Sequence, residues 1–310
     1  MNKEEMEALG IYGFESEKDL AEKIHEFAKN HHGMMSGSSI GLIIIEPASE
    51  LEITAKQTEI AAKQAEIDSS KTGRTATKEK ELGVLQRALE KMQNGDFSQA
   101  AKSYLDEIVS QRRRMFNPER PRAFKGNVST EWGNNKELES IAAYEALTGL
   151  KLDKTGDNQE FIRLGYVASV DFDFSEWFGC TPDSVTREGW RGNDHIPLPN
   201  YVPREFKNPA SGVVFDRYRE LKTPLDLKKE NSLYYWQCIA QMACLDAPYM
   251  QWIAYDCDIK SDNPADKFIV IDFERDLAAE NVLINSLFKA VQYIEKRIEF
   301  LDSLKLKIMR

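Results

Sequence analysis

Nothing in this 310-residue chain runs apolar for long. Its longest such stretch, "IGLIII" (Ile40–Ile45), is far shorter than the ~18 residues a membrane-spanning helix needs. Glycine is sparse and never falls into GxxxxGK[ST] or GxGxxG, which excludes a phosphate-loop motor and a dinucleotide-binding domain. The four cysteines, Cys180, Cys238, Cys244 and Cys257, form no Cys-x-x-Cys pair, so a zinc ribbon is excluded, and an iron–sulfur cluster would lack its usual local spacing. The four histidines show no metal-ligand pattern. A net charge of −10 lacks the basic surplus of a general nucleic-acid coat protein, although it leaves room for a local basic groove. The first residues, "MNKEEMEALG", are acidic and carry no signal-peptide pattern, so the expected location is the cytoplasm.

What is present is a chain with 42% hydrophobic residues, enough to bury a core. Residues 1–35 read as helix, from the serine cap of "SEKDLAEKIHEFAKNHHG" to Gly33. In "ELEITAKQTEIAAKQAEID" the isoleucines Ile53, Ile60 and Ile67 recur every seventh residue, each after a glutamate. Gln57 and Gln64 interrupt that seam, so the pattern reads as a packed surface helix before a strong coiled coil. "SSKTGR" (Ser69–Arg74) marks a boundary, giving a helical N-terminal extension over 1–68 and a main domain over 69–310. Two helical patterns follow, "EKELGVLQRALEKMQNG" and "FSQAAKSYLDEIVSQRRR", then a third, "NNKELESIAAYEALTG", ended by Gly149.

Strands then take over: "GYVASVDFDF", "WFGCTPDSVT" and "GVVFDRYRELKT", with a helix in "SLYYWQCIAQMACLD". Further strands fit "YMQWIAYDCD" and "DKFIVIDFE", and the tail from Leu277 is amphipathic helix. The fold class expected is α/β or α+β, a mixed central sheet flanked by helices. The stretch at about 186–211 holds four of the eleven prolines and reads as a long inserted loop. Basic charge gathers in "QRRRMFNPERPRAFKG", where Arg112, Arg113, Arg114, Arg120, Arg122 and Lys125 face one acid, Glu119. That segment is either a solvated linker or a phosphate-contacting surface.

Four polar features stand near element ends. Glu137 follows Asn134 by three residues, which also spells a capping box. Asp183 lies in Thr-Pro-Asp-Ser, which also spells a type I turn. Glu220 and Lys222 would share one face of a strand, though Asp226-Leu-Lys228 and Asp258-Ile-Lys260 repeat the acid-x-lysine pattern. Gln237 has Gln241 one turn later on its helix. Taken together they suit phosphodiester hydrolysis. Mg²⁺ takes a few carboxylates and keeps waters and substrate phosphate as its other ligands. A lysine beside them adds a cation facing water and phosphate. The Leu221 carbonyl would be a neutral ligand, and Gly133 would let a phosphate approach the helix start.

In this order, "EWGNNKELESIAAYEALTG", "WFGCTPDSV", "YRELKTP" and "YYWQCIAQM" resemble the successive motifs of the lambda-exonuclease-like viral recombinase nucleases, in the PD-(D/E)XK superfamily. The resemblance covers roughly residues 70–275. It implies that Glu137, Asp183 and Glu220 bind Mg²⁺, with Mn²⁺ able to substitute, that Lys222 assists the water, and that Gln237, three residues after Tyr234, positions groups near the lysine. It also matches Arg74 in "TGRTAT" to a residue that meets a 5′-phosphate. The chain departs from the pattern in the long gap between Asp183 and Glu220 and in its first ~70 residues.

The expected function is thus a Mg²⁺-dependent, phage- or prophage-type DNA exonuclease acting in a bacterial cytoplasm without a nucleotide cofactor. By the resemblance it digests linear double-stranded DNA 5′ to 3′, leaves a 3′ strand for an annealing protein, and forms a homo-oligomer. The rival within the superfamily is a restriction- or repair-type endonuclease. The rival from another class is a non-enzymatic helical adaptor, whose acids would be only caps and turns.

Overall fold

The computed structural model describes residues 29, 31–46, 48, 50–69, 76–117, 128–154, 161–187 and 201–308. Of the helix expected over residues 1–35, residues 1–28 lie outside the described residues, as do Arg74 and the part of the basic segment at 118–127, while residues 31–33 form a turn and Met35 a strand.

The seven-residue isoleucine repeat does form a helix, α1 (Glu50–Asp68), with Ile53, Ile60 and Ile67 half-buried along one stripe. It pairs with α2 (Ala76–Asn94), and Lys63 bridges to Glu81 at 2.9 Å. Helix α3 (Gln99–Arg112) is capped by the Ser98 hydroxyl, which accepts from the Ala101 amide at 3.1 Å. Helix α4 (Val128–Thr148) starts well before Asn134, so the expected capping box does not form. Gly133 accordingly lies inside the helix, where its carbonyl accepts from Asn208 Nδ2 at 3.4 Å. Gly149 closes α4 at φ +73°, a left-handed conformation that favours glycine.

The central sheet has five strands in the order β10-β9-β8-β7-β2: Phe268–Glu274, Tyr249–Tyr255, Tyr201–Lys207, Ser184–Arg187 and Asp153–Lys154. Only β8 and β9 pair in parallel; the other neighbours run antiparallel. A second small sheet joins β1 (Met35–Ser36), β6 (Phe178–Cys180) and β3 (Ile162–Arg163). "GYVASVDFDF" is not one strand but a hairpin of β4 (Tyr166–Val167) and β5 (Phe172–Asp173), turned at Asp171 with φ 48°.

Alternation along β9 assigns its two faces. Met250, Trp252 and Ala254 join the large core beneath α7 (Ser232–Leu245) and α8 (Leu277–Ile308). Ile253 points the other way, into a smaller cluster with Ile141 and Tyr144 of α4, Leu152 and Phe206. The sheet is therefore a layer between α4 on one side and α7 and α8 on the other.

Three expectations fail here. The inserted loop over 186–211 contains β8, a central strand with Val202, Arg204, Glu205 and Phe206 buried. "GVVFDRYRELKT" is not a strand: residues Gly212–Tyr218 form helix α5, which buries Phe215 and Tyr218 three residues apart. Thr223 and Asp226 then form a capping box that opens α6 (Pro224–Glu230). The boundary at 68 does not part the chain either. Met35, Ile40 and Ile43 are fully buried in the main core, and the turn Gly37–Leu42 packs on α7 so closely that a Cβ at Gly41 would meet Leu233 at 2.8 Å.

Candidate active site

Asp183 sits where the chain leaves β6 through Thr181 and Pro182 and enters β7. Pairing between β7 and β8 ends at Ser184 opposite Arg204, so the amide of Phe206 has no strand partner on that side. Asp183 Oδ2 fills the gap and accepts from the Phe206 amide at 2.6 Å. The Asp183 side chain is thus fixed against the edge of β8 by the backbone hydrogen-bonding requirement of that strand.

Glu205 and Lys207 share the face of β8 that looks toward α7. Glu205 is 1% exposed and both its oxygens are held. Lys207 Nζ and Gln237 Nε2 donate to Oε1, the latter at 2.6 Å, and Gln241 Nε2 donates to Oε2. The Lys207 ammonium also stands 5.1 Å from the centre of the Tyr234 ring. The Tyr-x-x-Gln spacing on α7 therefore sets a ring against the lysine and an amide against the glutamate.

Glu137 reaches the same place from α4. Glu137, Asp183, Glu205, Lys207, Gln237 and Gln241 all line one cavity of about 500 Å³, whose lining also includes Ser36, Gly37 and Ser38. Burial, then the Glu205 carboxylate, pushes the Glu137 carboxyl up to about 7, against the pull of Lys207. Burial, then Glu205 and Glu137, holds Asp183 well above the usual carboxylate range. Burial disfavours the Lys207 ammonium, but Glu205 and Asp183 outweigh it and raise its pKa, so it is a cation at neutral pH.

The structure thus brings together Glu137, Asp183 and Gln237 as expected, and does not bring Glu220 and Lys222 to them. Glu220 and Lys222 are exposed in the turn after α5, where Lys222 Nζ donates to the Arg219 carbonyl at 3.1 Å, and Leu221 is half-buried nearby. The acid-x-lysine pair beside the cavity is Glu205-Phe206-Lys207, with the Phe206 carbonyl in the place expected of Leu221. Gln241 joins Gln237 at Glu205 although the resemblance gave a role to Gln237 alone. Its signal was its position one turn after Gln237.

The basic segment splits. Arg112 donates to the carbonyls of Gly33 at 2.8 Å and Glu176 at 2.9 Å, and stacks 3.7 Å from the Trp177 ring centre. Arg113 pairs with Asp302 at 2.9 Å. Both act as struts between elements. Arg114 is exposed and, with Lys29, His32 and Arg163, lines a cleft next to the cavity.

The cavity's donor set fits a hard divalent cation: three carboxylates that repel one another, with buried oxygens of Thr181 and Gln241 left without a partner among the described residues. The group of candidate ligand atoms lying within 4.8 Å of one another is instead Asp256, Cys257 and Asp258, in the turn after β9. The three cavity carboxylates are spread more widely, and Mg²⁺ takes only one or two carboxylates directly and completes its shell with waters and substrate phosphate.

A mixed sheet between helices, with an acid-x-lysine strand, a turn aspartate, a helix glutamate and a helix glutamine around one cavity, is the architecture of a nuclease fold. No protein-family model matches the chain, and no curated protein matches it by sequence. By structure it is similar to an alkaline exonuclease, LHK-Exo, from Laribacter hongkongensis, at 15% identity and a TM-score of 0.53, over 91% of this chain and 99% of that one. It is also similar to a phage-related exonuclease from Haemophilus somnus 129PT, at 15% identity and a TM-score of 0.51, over 89% of this chain and 99% of that one. The shared fold spans nearly the full length of both neighbours.

Proposed function

We propose that this chain is a divalent-metal-dependent deoxyribonuclease that digests linear double-stranded DNA from its ends, 5′ to 3′, and leaves a 3′ strand for a single-strand annealing protein. The carrying observation is the Glu205-Phe206-Lys207 strand end, joined by Asp183, Glu137 and Gln237 around one cavity. The fold shared with two exonucleases supports the same reading.

In this reading Asp183, Glu205 and Glu137 hold Mg²⁺, or Mn²⁺ in its place, with the Phe206 carbonyl as a neutral ligand. Backbone N–H and C=O of one strand residue point to the same side, so that carbonyl lies on the side where Asp183 meets the Phe206 amide. The bound cation would lower the pKa of a water and offset charge building on the phosphate. Lys207, held as a cation, orients the attacking water and stabilises the developing negative charge. Gln237 keeps the Glu205 carboxylate turned toward the cavity. The wider proposal includes a phage or prophage origin, action in the bacterial cytoplasm and a homo-oligomeric assembly.

The test is incubation with linear, nicked and covalently closed circular duplexes in Mg²⁺, with Ca²⁺ as control and no nucleotide. Linear DNA should be degraded and closed circles spared. Cutting of closed circles would instead favour an endonuclease, and a strict need for ATP would sink the proposal.

A further inference from the structure

Gln241 is buried completely, and its amide is used on one side only. Its Nε2 donates to Glu205 Oε2, while its Oε1 is enclosed in protein without a hydrogen-bond partner among the described residues. The orientation is forced: the opposite one would set a carbonyl oxygen against a carboxylate. Gln237 and Gln241 stand four residues apart on α7, so their amides emerge one turn apart on one face and straddle the Glu205 carboxylate. The two oxygens are then unequal. Oε1 carries two donors, from Lys207 and Gln237, and Oε2 carries one, from Gln241. A carboxylate oxygen offers about two lone-pair sites, so Oε2 keeps one for a ligand.

An amide oxygen left unpaired in the interior is unfavourable, so the N–H that Gln241 gives to Glu205 must outweigh that cost.

We propose that Gln241 is a second positioning residue of the metal centre: its N–H fixes the Glu205 oxygen that faces the cation. This rests on the nuclease reading for its consequence in catalysis, but not for its consequence in cation binding.

The experiment compares wild-type protein with Gln241→Met, which keeps the volume, and Gln241→Asn, which keeps the polarity but withdraws the amide by one methylene. Ca²⁺ and Mg²⁺ binding is measured by calorimetry, folding by circular dichroism, and cleavage of a linear duplex across a Mg²⁺ titration. Both variants should stay folded and bind either cation about tenfold more weakly. Their cleavage should recover most of the wild-type rate at saturating Mg²⁺. Unchanged cation affinity in a folded variant, or a cleavage defect that saturating Mg²⁺ does not relieve, overturns the assignment. If one variant fails to fold, the other carries the test; collapse of both would make Gln241 a core residue and overturn it as well. Wild-type protein that binds cations but cuts no DNA would overturn the nuclease reading alone. Wild-type protein that binds no cation would overturn both.

Discussion

The three carboxylates make the metal-free protein sensitive to alkali in a way that one substitution isolates. Folding raises the Glu137 carboxyl from an ordinary 4.5 to about 7, first through burial and then through Glu205. The native state therefore binds a proton more tightly than the unfolded chain does. The stability linked to this group is fully present below pH 4.5 and is lost as the pH rises through about 7. The span corresponds to about 3 kcal/mol, at ~1.4 kcal/mol for each tenfold change. In a protein of this size that is roughly 5–10 °C in Tm. Melting curves in chelator at pH 5 and pH 8, at fixed ionic strength, should show wild-type protein losing that much more than Glu137→Gln, which cannot ionise. Titrating groups remote from the cavity affect both proteins alike and cancel in the comparison, whereas Asp183, which Glu137 helps to hold above the usual carboxylate range, loses part of that elevation in the variant. Mg²⁺ should restore the wild-type Tm at pH 8, and its binding near pH 7 should release about one proton, read as a dependence of the heat on buffer ionisation. Parallel pH profiles for the two proteins would refute the claim that Glu137 shares a buried acidic site with Glu205.

Lys207→Ala should lower single-turnover cleavage by at least about a thousandfold while leaving DNA binding in Ca²⁺ largely intact, because the loss falls on the transition state; Lys222→Ala and Glu220→Gln should cut at near wild-type rates, and the reverse pattern would return the site to the turn after α5. Arg112→Ala should destabilise the fold by about 2–4 kcal/mol in a denaturant titration, since two charge-assisted hydrogen bonds and a ring contact go with it. Arg114→Ala should leave stability alone and flatten the salt dependence of DNA binding by about one unit of log–log slope; an unchanged slope would make the neighbouring cleft irrelevant to DNA. A truncation beginning at Ser69 should be unfolded by circular dichroism, because it removes Met35, Ile40 and Ile43 from the main core; a folded, active fragment would show that these contacts are dispensable.

Much of the fold was legible where one local signal dominates. The isoleucine repeat of α1, the serine cap of α3, the glycine stop after Thr148 and the apolar runs of β9 and β10 each contain their own instruction. Central strand β8 was not legible, because a proline in "YVPREFK" argues against a strand. The structure shows why it is tolerated. Pro203 lies opposite Val185 on the β7 side and one residue before pairing with β9 begins at Arg204. Alternation from the Phe206 amide, which faces the β7 side, puts the Pro203 nitrogen on the side where β8 has no neighbour yet. No donor is lost that a partner needed. That circumstance depends on residues some fifty positions away in the chain, which no local pattern encodes.

Most of the site was legible as residue types and less of it as positions. Glu137, Asp183 and Gln237 lie beside one cavity, while the strand glutamate and lysine, expected in "RELK", lie fifteen residues earlier in "REFK". Both offer an acid and a base on one side of an extended segment. They differ in the residues that come next along the chain and in the partners their alternate side chains need. After "RELK" come Thr223, Pro224, Leu225 and Asp226, where the threonine hydroxyl caps the Asp226 amide and Asp226 receives the amides of Lys222 and Thr223. That helix start draws Lys222 into a turn and ends any strand there. In "REFK" the alternate residues are Arg204 and Phe206, both buried on the α4 face. There Arg204 finds Thr186 and Gln251, and Phe206 meets the Tyr144 ring edge-on with centroids 5.8 Å apart. A buried arginine needs partners that only a central strand between two others can supply. The arginine before Glu205 thus belongs to the architecture that presents the glutamate: its hydrogen bonds tie β8 to β7 and β9, and with β8 fixed, Glu205 meets Gln237 and Gln241 from below while Lys207 reaches the cavity beside Asp183.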